Sequence, residues 1–137
     1  MLSASERLLI VGEARDWIGT PFRHCAAAKG AGTDCIGLLI GCYGAVLGLE
    51  YSAPPYSRQI SEPVLKAELA KYFEPIDREA LELADVVLLR VMGHPQHVAI
   101  WTGEGTLIHA HAGVRKVAEN SAAAYWDQIE EAYTWRQ

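Results

Sequence analysis

Thr33-Asp34-Cys35-Ile36-Gly37-Leu38-Leu39-Ile40-Gly41 decides how this chain is read. A polar step, Thr33-Asp34, follows the small-residue run Lys29-Gly30-Ala31-Gly32, and a mainly apolar segment begins at once. Thr or Asp before an apolar run is a helix N-cap signal, because the side-chain oxygen takes up a backbone N–H that the first turn leaves unpaired. The spacing of Leu38, Leu39, Cys42, Val46 and Leu49 predicts a helix from Cys35 to about Leu47. It is apolar most of the way round and reads as the central buried helix. Gly37, Gly41 and Gly44 lie along one face and allow a neighbour to approach closely, and Gly48 fits a C-cap. A thiol in the first turn meets unpaired N–H groups and the positive end of the helix dipole, which favour the nucleophilic thiolate. The competing reading of Cys35 is a small apolar core residue.

Outward from that helix, Ser3 or Ser5 can cap a first helix running to about Ile18, ended by Gly19-Thr20-Pro21. Residues Phe22 to Gly32 read as a loop, and Glu50 to Ile60, with Pro54-Pro55, as an extended surface connection. Ser61 can cap a third helix with Pro63 in its first turn, Leu65, Leu69 and Tyr72 inward, and Glu74-Pro75 at its close. The period then changes to strands at Val86–Val91, His97–Thr102 and Thr106–His111, with a fourth over Val114–Val117. Tyr125 to Trp135 closes the chain as a short helix and an edge strand. Helices first and an antiparallel meander after them give an α+β class, expected as a single domain over residues 1–137.

The chain has 12 basic and 17 acidic residues, a balance of −5 that speaks against a nucleic-acid footprint. Met1 to Arg7 turns polar too soon for a signal segment, and no apolar run reaches the length of a membrane span. The expectation is therefore synthesis in the cytoplasm, with any export by another route. Cys25, Cys35 and Cys42 are an odd set with no Cys-x-x-Cys, which signals neither a disulfide framework nor a zinc ribbon. Cys25 and Cys42 read as structural.

Side chains on a strand alternate faces, so His97 shares a face with Ala99 and Trp101, and His109 with Leu107 and His111. A three-residue loop at Thr102–Glu104 sets His97 directly opposite His109, whereas one at Gly103–Gly105 makes them diagonal neighbours. A two-residue loop puts them on opposite faces. Two imidazoles on one patch beside a candidate thiolate form a mechanical set: Cys35 as nucleophile, one ring as base, the second fixing the first ring's tautomer. The backbone N–H of Cys35 is placed to donate to an oxyanion.

These residues resemble a known family. Gly19-Thr20-Pro21-Phe22, Asp34-Cys35-Ile36-Gly37, Ala84-Asp85-Val86-Val87, His97-Val98-Ala99-Ile100-Trp101 and Leu107-Ile108-His109-Ala110 look like the ordered blocks of the NlpC/P60 cysteine peptidases. The resemblance implies a papain-like fold, N-terminal helices packed on a C-terminal antiparallel sheet, and cleavage of peptides in bacterial peptidoglycan without a cofactor or metal. It assigns Cys35 as nucleophile, His97 as base and His109 as the third polar residue. Asp34 matches the acidic residue before the nucleophile, read here as a cap, and His111 matches no catalytic position. Thr20-Pro21-Phe22-Arg23-His24 with Pro54-Pro55-Tyr56 looks most like the branch carried by phage tails, prophages and gene transfer particles. That branch implies tail proteins as partners and delivery to the periplasm or cell wall by a virion-like particle.

The sequence departs from the family where a Tyr is common and Phe22 stands, and where a Gly is usual and Ala84 stands. Arg23, His24 or Tyr56 can take the missing hydroxyl's place, and with Asp34 they are the substrate or oxyanion candidates. Two other readings stay open. One is a tail-assembly or docking domain that kept the fold and lost catalysis. The other is a metal site built from His24, Cys35, His97, His109 and His111.

Overall fold

The computed structural model describes residues 1–50, 55–56, 61–91 and 93–136, the stretch 94–96 by backbone alone. Most of the connection expected over 50–60 lies outside the described residues; within it, Pro55 is exposed and Tyr56 half-buried.

Helix α1 spans Ala4–Asp16, two residues shorter than expected. Ser3 and Glu6 close its first turn reciprocally, with Glu6 N–H on Ser3 Oγ at 3.1 Å and Ser3 N–H on Glu6 Oε1 at 2.8 Å. Ile10, Val11 and Ala14 face the core, while Leu8, Leu9 and Ile18 are exposed. The segment read as a loop carries a small antiparallel pair, β1 (Ala27–Ala28) and β2 (Gly32–Thr33). Helix α2 occupies Cys35–Leu47, with Asp34 as N-cap and Gly48 as C-cap at φ +70°. A Cβ on Gly37 would lie 1.9 Å from the carbonyl oxygen of Ala26, and one on Gly41 would lie 2.2 Å from the Trp17 ring. The small face of α2 is thus where α1 and the β1 segment press in.

Helix α3, Glu62–Ala70, starts after Ser61 as expected, although the Ser61 side chain makes no cap hydrogen bond. Its expected close at Glu74-Pro75 is corrected, because Phe73–Ile76 forms strand β3. Pro75 is tolerated there because β3 is the edge of the sheet, where one side of the strand needs no ladder donor.

The main sheet has the order β3-β8-β4-β5-β6-β7, all antiparallel. Strands β4 (Val86–Val91) and β6 (Thr106–His111) fall where the alternation placed them. β5 runs His94–Trp101, starting three residues early through a bulge opposite Leu89/Arg90. β7 is Lys116–Ser121, later than the expected Val114–Val117, because Arg115 turns the chain at φ +64°. β8 (Ile129–Trp135), preceded by a short 3₁₀ segment at Ala123–Gln128, is not an edge strand: it lies between β3 and β4.

The face of the sheet bearing Val86, Leu88, Val98, Ile100, Ile108 and Ala110 packs against the helices. The other face is a smaller apolar layer of Val87, Leu89, Ala99, Leu107 and Ile129. One charge is sunk between helix and sheet: Arg7 reaches Asp85 Oδ1 at 2.9 Å and the Leu83 carbonyl at 2.8 Å. Asp85 also accepts from Thr134 Oγ1 at 2.7 Å and Glu82 N–H at 2.9 Å. Nearby, Tyr43 donates its hydroxyl proton to the Ala84 carbonyl, and Ala84 sits at φ +71°, where glycine is the unstrained residue. Replacing Arg7 by Ala leaves the Asp85 carboxylate buried without its counter-charge. The expected cost is about 3–5 kcal/mol of unfolding free energy, read from urea denaturation.

Candidate active site

Asp34 builds the start of α2. Its Oδ1 accepts from Gly37 N–H at 2.8 Å, which is the cap; its Oδ2 accepts from Cys25 N–H at 2.7 Å and from the Tyr56 hydroxyl. The capping role read from the sequence is therefore what the buried Asp34 performs. The next residue, Cys35, turns its sulfur toward the sheet.

The strands receive it where they part. The β5–β6 ladder joins Trp101 to Leu107 and Ile100 to Ile108, which is the diagonal register of the Gly103–Gly105 loop. Trp101 directs its N–H and C=O to Asp85 and Ala84 on the β4 side, and Thr102 directs its N–H to Thr106 on the β6 side. The alternation turns the Val98 N–H toward β6 as well, on the side of the Cys35 sulfur, whose charged form it favours. The backbone N–H groups of Ile36 and of Cys35 itself act in the same direction.

The imidazoles come from the opposite face of the same strands. His97 Nε2 lies 2.8 Å from His109 Nδ1, with ring centroids 5.0 Å apart, and His109 Nε2 lies 2.7 Å from Asn120 Oδ1. An amide oxygen only accepts, so His109 carries its proton on Nε2. Neutral His109 then offers a lone pair on Nδ1, which takes the proton of His97 Nε2. The lone pair of His97 is left on Nδ1, the nitrogen available to act as a base. Asn120, on β7, was missed in the sequence; the only signal was an amide two residues past Ala118 in a segment too charged to read as a strand. His111 Nδ1 accepts from Gly113 N–H at 2.9 Å and holds the β6–β7 turn.

Burial opposes charge on both partners. It pushes the Cys35 thiol up to about 12, with the Asp34 charge adding to it, and the three backbone N–H groups do not reverse this. That corrects the expectation that the helix start alone would favour thiolate. Burial, then the charges of His109 and His111, brings His97 down to about 3. A proton passed from sulfur to ring creates both charges together, so the titration belongs to the couple. Among the described residues no hydrogen bond joins the sulfur to either ring. Such contacts are often long in ligand-free sites and tighten with substrate. A cleft of about 260 Å³ lies on the ring side, lined by Arg90, His97, His109, His111 and Tyr125.

The remaining candidates gather at the other side of α2. Tyr56 packs edge-on against His24, and its carbonyl oxygen is 2.8 Å from His24 Nε2. Its phenol is held protonated by burial, by the hydrogen bond to Asp34, and by the charges of Asp34, Cys35 and Cys25, so it lies in the electrostatic reach of the nucleophile position. Phe22 is half-buried against the helical core. Arg23 is exposed, with its stem over Gly32. Cys42 is fully buried, but Cys25 is exposed and so is not the core residue expected. The metal set drawn from the sequence is not what converges; among the described residues the close donors are His24, Cys25 and Asp34.

A profile described as the NlpC/P60 family matches residues 19–133. The murein DD-endopeptidase MepS/murein LD-carboxypeptidase of Escherichia coli K12 is 26% identical over 117 residues, 85% of this chain and 56% of that protein. The chain thus spans little more than half the length of the curated relatives it matches. The NlpC/p60 domain of the peptidoglycan hydrolase SagA superposes with a TM-score of 0.66 at 25% identity, covering 93% of this chain and 97% of that one. The peptidoglycan hydrolase RipB of Mycobacterium tuberculosis has the same fold, with a TM-score of 0.70 at 15% identity over 95% and 64% of the two chains.

His97 makes the site acid-sensitive. The unfolded imidazole takes a proton below about pH 6.5, while the folded one resists until about 3. Between those values the unfolded state binds the extra proton, so stability falls as pH is lowered through this window. His97→Gln is expected to flatten that dependence, checked by denaturant midpoints at pH 7 and pH 5.

Proposed function

The chain belongs to the NlpC/P60 family, and from that premise we propose that it is a cysteine peptidase hydrolysing peptide bonds in the stem peptides of bacterial peptidoglycan. The observation that carries the reading is the Asn120–His109–His97 relay, which leaves a base lone pair on the residue beside Val98, whose backbone favours a charge on the Cys35 sulfur. The substrate class is supported by the relatives named as murein endopeptidase and peptidoglycan hydrolases.

In this mechanism His97 Nδ1 takes the Cys35 proton as the sulfur attacks the scissile carbonyl carbon. The backbone N–H of Cys35 donates to the oxyanion. The imidazolium passes its proton to the leaving amine as the C–N bond breaks and a thioester forms. Water, deprotonated by His97, attacks the thioester, the acid leaves and the thiol is restored. His109 orients His97. Tyr56 stands in for the hydroxyl that Phe22 lacks, with Arg23 and His24 as contacts to the substrate and Asp34 retained as the cap.

We also propose, on the resemblance of Thr20-Pro21-Phe22-Arg23-His24 and Pro54-Pro55-Tyr56 to the tail-borne branch, that the chain works with phage-tail-like proteins. It would be synthesised in the cytoplasm and carried to the periplasm or cell wall by a particle. A docking domain without turnover is the second reading, favoured by Phe22 and by the burial of Cys35.

Cys35→Ala is expected to abolish cleavage of defined muropeptides, followed by mass analysis of the products, with the thermal melt retained; undiminished cleavage would contradict the assignment, and an inactive wild-type chain would favour the docking reading. Asn120→Ala is expected to lower kcat about tenfold or more, short of the ~10⁴-fold that a wrong tautomer costs a serine triad. Asn120→Asp, which keeps an acceptor for His109, restores most of it and shifts the pH–rate profile.

A further inference from the structure

Apart from Cys35, His97 and His109, a second group of ligating side chains gathers at the start of α2. His24 Nε2, Cys25 Sγ and an Asp34 carboxylate oxygen all lie within 4.8 Å of one another. Sγ is 3.3 Å from Nε2, and the Tyr56 carbonyl oxygen is 2.8 Å from Nε2 and 3.6 Å from Sγ. Donors at the corners of a tetrahedron around Zn²⁺ stand about 3.3–3.7 Å apart. The sulfur already stands at such spacings from the nitrogen and the carbonyl oxygen, and the Asp34 oxygen and the nitrogen–carbonyl pair need only small shifts to reach them.

We propose that His24, Cys25 and Asp34 form a binding site for Zn²⁺, with the Tyr56 carbonyl at the fourth corner. The donor types select the cation: thiolate and imidazole favour a borderline metal such as Zn²⁺ over Mg²⁺ or Ca²⁺, which take all-oxygen shells. Cys25 is exposed, which gives the ion an entry path. The Cys25 backbone N–H already holds Asp34 Oδ2 at 2.7 Å, so the Asp34 carboxylate is fixed to the backbone of Cys25 before the metal arrives.

Binding releases one proton, from the Cys25 thiol, since the ligand is the thiolate. The neutral ring of His24 moves its proton from Nε2 to Nδ1 and gives Nε2 to the metal. The ion takes the place of the Tyr56 hydroxyl on Oδ2. The site ties the chain around Tyr56 to the cap of α2 through a metal rather than through hydrogen bonds. This inference does not rest on the peptidase reading, because its ligands are neither the nucleophile nor the base there and Zn²⁺ binding is read without turnover.

The test uses the full chain carrying Cys35→Ala, so that the other candidate thiol cannot contribute. Titration with Zn²⁺ by calorimetry, and with Co²⁺ followed by its thiolate charge-transfer absorption, is expected to give one site per chain. Adding Cys25→Ser should abolish the absorption. Cys25→Ser and, separately, His24→Gln should each weaken Zn²⁺ by more than the ~10–100-fold that loss of an outer-shell partner costs. Circular dichroism of each variant checks that the fold is retained, as expected because Cys25 is exposed and His24 half-buried, so neither change opens the core. No saturable binding, or binding indifferent to both substitutions, overturns the proposal.

Discussion

The parting of β5 from β6 beyond Ile100 is the constraint on which the candidate site depends. Had the ladder continued, the Val98 N–H would be spent on a carbonyl of β6. Instead it is left on the side of the Cys35 sulfur, where it favours the charged form. The gap also leaves room for groups from two faces of one sheet to meet in the proposed mechanism: a sulfur from the helical side and imidazoles from the other. An antiparallel sheet normally keeps its faces apart by about the thickness of its own backbone, so the site needs this local failure of pairing.

Asp34 is the second fixed point. A single buried carboxylate closes the first turn of α2, anchors the backbone of Cys25 and receives the Tyr56 hydroxyl. The charge that organises the neighbourhood also disfavours a lone thiolate one residue away. Capping and nucleophile activation pull in opposite directions here, and the backbone N–H groups around the sulfur moderate the conflict without removing it.

What could be read from the sequence was what local chemistry determines. α2 was legible because a polar cap precedes an unbroken apolar run, and its glycines announced close neighbours. The His97–His109 pairing was legible because Gly103-Glu104-Gly105 limits the loop length and parity does the rest. The family resemblance covered most of the chain, in agreement with the match over residues 19–133. β3 was hidden by Pro75, which is acceptable only at an edge, and edge position is a property of the whole sheet. β7 was hidden by Lys116, Glu119 and Asn120, and with it the partner of His109. The buried pairing of Arg7 was not legible because its partner, Asp85, is 78 positions away. Cys25 looked like filler because nothing local fixes its exposure or its φ of +57°.

The position of β8 has a consequence for how the chain comes into being. It is the last strand in sequence, yet it occupies an interior place in the sheet, and its Trp135 ring stacks on Tyr43 and Tyr72. During synthesis, a nascent chain that has not yet extruded residue 135 has β4 bare along one side and the aromatic layer over α2 unfilled. The complete sheet behind the candidate site therefore forms only after translation has passed that residue.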